Sequence, residues 1–135
     1  AASSDYPLRD VYKRQAVSHR HPAYTHGGNL ACKWVIHAVG PMFGEGQEEE
    51  KLSQAITGCL EVAEQLGAAT LAIPAISTGI FGFPAKRAAR VFFAAVREYF
   101  DAHSDSGVQC VRLVLWDERT LQIFLQSAEN EDRLA

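Results

Sequence analysis

Residues 71–84 read LAIPAISTGIFGFP, and the order of residue types within them sets the architecture of the chain. An apolar run, 71–73, meets Pro74. The small residues Ala75, Ser77 and Thr78 follow, then Gly79 and Gly82, and Pro84 opens a long apolar-periodic segment. That order spells a strand, a glycine-bearing loop and a helix. Such a loop aims backbone N–H groups and the positive end of a helix at an anion. Its glycines admit φ > 0 and close approach of backbone to a ligand. Ile80 and Phe81, between them, point to a ligand with a flat or sugar part beside its phosphates. The competing reading is an ordinary βα connection with a glycine turn. Neither GxxxxGK[ST] nor GxGxxG is present, so the glycines indicate an anion site without naming its ligand.

The flanking segments repeat the alternation. Downstream, 84–100 reads as a helix with Pro84 at its first position and a stripe of Ala88, Phe92, Ala95, Val96 and Tyr99. Lys86, Arg87, Arg90 and Arg97 face outward. Lys86 and Arg87 lie near the loop, as solvated charges or as phosphate contacts. A strand over 110–116 (CVRLVLW) follows, then a helix capped by Asp117 with Leu121, Phe124 and Leu125 on its buried side, and fraying from 130. Upstream, 48–66 is a helix: Leu52, Ala55, Ile56, Cys59, Leu60, Ala63 and Leu66 recur at i, i+3, i+4. Glu48, Glu49 and Glu50 sit where the helix dipole favours negative charge, and Gly67 is the stop. Gly58, mid-helix, costs about 1 kcal/mol against alanine and marks a close packing contact. Residues 33–39 (KWVIHAV) form a strand ended by Gly40-Pro41, preceded by a turn at His26-Gly27-Gly28-Asn29. His37 reads as a hydrogen-bonded core histidine rather than a catalytic one. Residues 1–22 carry no sustained period beyond a possible short helix at 11–17. His19, His21 and His26 complete no known metal-ligand spacing and read as solvated loop histidines.

From residue 33 the order β-α-β-α-β-α predicts a mainly parallel sheet covered by helices, with ligands outside the carboxyl ends of the strands. The loops at 40–46, 75–83 and 116–117 meet there. Trp116 is placed to stack on a base, or to cap the core. The 135 residues suit one domain, and 47% hydrophobic against 21% charged content describes a folded one. A net charge of −3 with no Lys/Arg run argues against a general nucleic-acid surface. No stretch is long and apolar enough to span a bilayer. Cys32, Cys59 and Cys110 fit neither a disulfide framework nor a zinc site, so reduced thiols and a cytoplasmic location are expected.

From about Ala23 to Leu125 the chain resembles a macro domain, the ADP-ribose-binding α/β module. The resemblance rests on GGNLACKWVIHAVGP (27–41), PAISTGIFGFP (74–84) and VLWD (114–117), and is strongest to the MacroD-like and bacterial hydrolase-type branch. It implies a three-layer α/β/α fold with a mainly parallel, mixed sheet. It also implies a diphosphate loop formed by Ser77, Thr78, Gly79, Ile80, Phe81 and Gly82, with Phe81 against the distal ribose, and Trp116 and Asp117 near the adenine. No metal or cofactor is implied, and a monomer is expected. Intact members carry an upstream first strand with an adenine-reading Asp, an Asn-rich strand end and a second glycine-rich loop credited with activating water. Residues 1–22 show no Asn-Ala-Ala-Asn and no triple glycine. The expected division is therefore an unmatched leader at 1–22, a partial macro domain at 23–128 lacking the family's first strands, and a frayed tail at 129–135. Three functions stay open: an ADP-ribosyl or O-acetyl-ADP-ribose hydrolase without an assigned catalytic residue, a non-catalytic ADP-ribose or nucleotide binder, and a non-functional fragment.

Overall fold

The computed structural model describes residues 18–134; the helix expected at 11–17 lies outside them. In chain order the elements are β1 (Ala23–His26), β2 (Trp34–His37), α1 (Glu48–Gln65), β3 (Thr70–Pro74), α2 (Ala85–Ala102), β4 (Cys110–Val114) and α3 (Glu118–Leu134). The strand–helix alternation from β2 onward is the one expected, and the class is α/β.

The strands form two pairs. β1 and β2 run antiparallel, with Tyr24 opposite Ile36 and Thr25 opposite Val35. β3 and β4 run parallel, from Thr70 opposite Cys110 to Pro74 opposite Val114. Among the described residues neither pair hydrogen-bonds to the other. Side chains alternate across β3 and β4. Leu71, Ile73, Val111 and Leu113 face a core built by Leu52, Ile56, Cys59 and Leu60 of α1, Ala88, Phe92, Ala95 and Tyr99 of α2, and Phe124 of α3. On the opposite face Ala72, Pro74, Arg112 and Val114 are exposed. All three helices thus cover one face of β3–β4, which leaves the carboxyl ends of both strands at a surface.

Local chemistry sets the helix bounds. Gln47, at φ +54, turns the chain into α1, whose first turn holds Glu48, Glu49 and Glu50. Its far end closes where Leu66 and Ala68 donate to the carbonyls of Val62 and Ala63 and Gly67 sits at φ +67. Pro84 lies one position outside α2 rather than at its first residue. It is extended (φ −60, ψ 126), and its carbonyl accepts the first helical bond, from the Ala88 amide at 2.9 Å. α3 continues through Leu134, into the stretch where fraying was expected. Phe124 and Ser127 are buried, and Arg97 Nη1 lies 2.7 Å from Glu131 Oε2. That is close enough for an ion pair to α2.

Residues 18–22 pack on α1. Arg20 pairs with Glu61, and the Arg20 carbonyl lies so close to Gly58 that an added Cβ would collide with it. The close contact expected at Gly58 is present, and its partner is this preceding segment.

Candidate functional site

The loop after β3 is folded by its own backbone. Ile76 N donates to Pro74 O at 2.9 Å and Thr78 N to Ala75 O at 3.2 Å. The Thr78 hydroxyl adds a 2.7 Å bond to the same Ala75 carbonyl. Gly82 N donates to Gly79 O at 3.0 Å, and Phe83 N to Ser77 O at 2.9 Å. A tight turn with Ile80 and Phe81 at its tip results. Ser77 sits at φ +67 and Gly82 at φ +72. Among the described residues, the amides of Ser77, Gly79, Ile80 and Phe81 make no backbone bond. Unpaired amides clustered beside a helix start provide donors for an anion. Phe83 anchors the turn in the core at 1% exposure, while Ile80 is fully exposed and Phe81 41% exposed.

The 40–46 loop lies against this turn. The Phe43 amide donates to Phe81 O at 2.9 Å, and the Phe43 ring meets that of Phe83 edge-on, centroids 5.6 Å apart. Gly40 abuts Ser77 and Ile76 so closely that a Cβ there would collide with Ser77 Oγ. The loop is held from behind by α1: Glu48 Oε1 accepts the Gly44 amide at 2.8 Å, and Lys51 Nζ lies 3.5 Å from Glu45. The Glu48 carboxyl is held below its ordinary value, first by the hydrogen bond from its own backbone and then by that from Gly44.

Trp116 and Asp117 leave the carboxyl end of β4, just beyond Val114, the register partner of Pro74. Trp116 is 99% exposed, which removes the alternative that it caps the core. Asp117 Oδ1 accepts the Thr120 amide at 2.7 Å; that backbone bond, first among its causes, lowers the Asp117 pKa. Asp117 is thus the helix cap expected of it. The two loops at 40–46 and 75–83 touch directly, and the third leaves β4 where its register partner Pro74 leads into the 75–83 loop.

The remaining candidates separate. His19 bonds to Val39 O, His21 pairs with the Ser18 hydroxyl, and His26 stacks on Trp34 at 4.8 Å, so the three share no centre. His37 bonds the Thr25 hydroxyl at 2.9 Å, and burial lowers its pKa; it is hydrogen-bonded as expected, but half-buried rather than in the core. Cys59 is buried, its thiol pushed up to about 12 by burial, whereas Cys32 is exposed. Phe43 was not foreseen as a site residue; Arg87 was placed near the loop as a solvated charge or a phosphate contact, and its hold on Phe43 was not foreseen. Arg87 lies over the Phe43 ring at 5.3 Å and bonds Glu49 at 2.9 Å. Only the place of Arg87 at the start of a helix next to the loop hinted at it.

An α/β module with an amide-lined turn and an exposed tryptophan at the carboxyl ends of a parallel strand pair has the layout in which α/β folds place their ligand sites. The Macro domain family model matches residues 8–92, and the chain belongs to the macro domain family. The match begins within the stretch read as a leader. A macro domain-containing protein of Caldanaerobacter subterraneus subsp. tengcongensis is 37% identical over 115 residues, 84% of this chain and 64% of that one. The Oceanobacillus iheyensis macrodomain, solved with ADP, superposes with a TM-score of 0.81 at 23% identity, over 88% of this chain and 62% of its own. The Trypanosoma brucei macrodomain in complex with ADP-ribose gives 0.73 at 21% identity, over 79% and 44%. The chain thus spans less than two thirds of the length of each of these proteins, and the macrodomain fold is the one the described residues adopt.

Proposed function

We propose that this chain binds ADP-ribose, free or attached to a substrate. Ser77, Thr78, Gly79, Ile80, Phe81 and Gly82 would hold the diphosphate, with Trp116 and Asp117 beside the base. The observation that carries the reading is the run of unpaired amides at Ser77, Gly79, Ile80 and Phe81. Four donors within one turn suit a doubly charged diphosphate, and hydrogen bonds to charged groups contribute about 1.5–3 kcal/mol each. Family membership, and the ADP and ADP-ribose in the two structural neighbours, support the same ligand.

The reading stops at recognition. The turn offers no general base: the Thr78 hydroxyl is spent on Ala75 O, and Asp117 caps α3. Hydrolysis, which the resemblance implies for intact relatives, is assigned to no described residue.

Calorimetric titration of the 135-residue chain with ADP-ribose, with AMP as control, tests the proposal. Micromolar binding that AMP does not reproduce is the expected result. Trp116→Ala should then weaken binding by about fivefold or more, since aromatic–base stacking contributes about 1–3 kcal/mol. It should leave the unfolding midpoint unchanged, because the side chain is 99% exposed. A folded sample that binds neither compound overturns the reading.

A further inference from the structure

Among the described residues, one backbone bond joins the 40–46 loop to the tip of the amide-lined turn, Phe43 N to Phe81 O. That bond fixes the peptide joining Phe81 to Gly82, whose N–H is already tied to Gly79 O. Phe43 is thus a point at which the 40–46 loop can act on the turn that carries the Ile80 and Phe81 amides. Phe43 is 41% exposed and, among the described residues, has one ring neighbour, Phe83. Burial alone does not hold it. Arg87 supplies the second hold. Its guanidinium lies 5.3 Å over the Phe43 ring and 6.0 Å over Phe83, and its Nε donates to Glu49 Oε1 at 2.9 Å. The cation is therefore tied to α1 through its Nε and lies within cation–π range of one ring from each of the two loops.

We propose that Arg87 is a positioning residue. It clamps Phe43, and through the Phe43 amide it orders the turn at 79–82 for its ligand without touching the ligand itself. The role rests on the ADP-ribose reading only for its consequence in binding; the clamp exists without ligand. A lysine at 87 keeps the charge and loses the planar face and fork, so Arg87→Lys separates clamping from simple attraction of an anion.

Amide hydrogen exchange of the free protein is measured first, for wild type, Arg87→Lys and Arg87→Ala. Both variants should speed exchange of the Phe43 amide by about two- to fivefold, the range that an exposed cation–π contact supports. Amides of β3 should be unaffected. ADP-ribose affinity should fall by a similar factor in both, and in a Phe43→Leu background Arg87→Lys should add nothing. Unchanged Phe43 exchange in both variants overturns the proposal. So does an affinity loss confined to Arg87→Ala and erased by salt, which marks a direct charge contact. If the wild type binds no ADP-ribose, the function reading falls while the exchange comparison still decides the clamp.

Discussion

Ser77 sits at φ +67, and its hydroxyl is buried without a hydrogen-bond partner among the described residues. Either feature alone is unfavourable. A non-glycine residue in the left-handed region costs about 1–2 kcal/mol, and an unsatisfied buried hydroxyl about 1–3 kcal/mol. Strain of this kind persists where the surroundings fix it, and it gathers at ligand sites. The surroundings here are Gly40, packed against Ser77 Oγ, and the bond from Phe83 N to Ser77 O. Ser77→Gly removes both penalties and adds the backbone entropy of glycine, about 0.5–1 kcal/mol in the opposite sense. The net expectation is a stability gain of about 1 kcal/mol, read by urea unfolding. ADP-ribose affinity should fall at the same time, because a glycine turn must be ordered on binding. A variant that is both less stable and unchanged in affinity would show that Ser77 is not the strained point of the loop.

At the scale of elements, Gly58 sets two opposing effects against each other. It lies inside α1, where alanine would add about 1 kcal/mol of helix propensity. A Cβ there would collide with the Arg20 carbonyl and come within 2.9 Å of Pro22 Cδ. A backbone carbonyl does not rotate away as a side chain does, and overpacking costs about 1–3 kcal/mol. Gly58→Ala should therefore destabilise by about 1 kcal/mol and open 18–22 to limited proteolysis; a gain in stability would mean that this segment is loosely held. The glycine also shows how far sequence reading reaches. Its role as a close contact was legible, because glycine amid a strong apolar period has few other reasons to be there. Its partner was not, because 18–22 has no period of its own and is positioned by packing. The elements with a clear period, α1, β3 and α2, were legible to within a residue or two, and so was the 77–82 turn. The fully exposed stand of Trp116 and the hold of Arg87 on Phe43 were not. Both depend on which surfaces meet in three dimensions, and charge or aromaticity in one dimension fits either outcome.

Across the whole molecule, the connection from α2 to β4 is tied down far from the ligand loops, by one carboxylate. Glu64, near the end of α1, accepts hydrogen bonds from the Tyr99 hydroxyl at 3.2 Å, from the Ser106 hydroxyl and from the Gly107 amide at 2.7 Å. It joins α1 to residues 35, 42 and 43 positions further along the chain. Its pKa is lowered, first by the Ser106 hydroxyl and then by the Gly107 amide. Glu48 and Asp117 are lowered as well. A carboxylate whose folded-state pKa lies below its unfolded value contributes stability that is complete above the unfolded value. That contribution is lost as pH falls through the folded one. The loss should therefore begin near pH 4.5, the ordinary glutamate value, and grow below it. Of the three, Glu64 binds segments that only the tertiary fold brings together, whereas Glu48 and Asp117 act within a few residues of themselves. Glu64→Gln keeps the shape and removes the charge. Its unfolding midpoint should lie below that of the wild type at about pH 7, and the two should converge as pH approaches about 2. Circular-dichroism melts across that range decide the matter. Melting curves for the two proteins that stay parallel at every pH would mean that the charge of Glu64 adds nothing, and that burial of Tyr99 and Val108 holds this end of the fold.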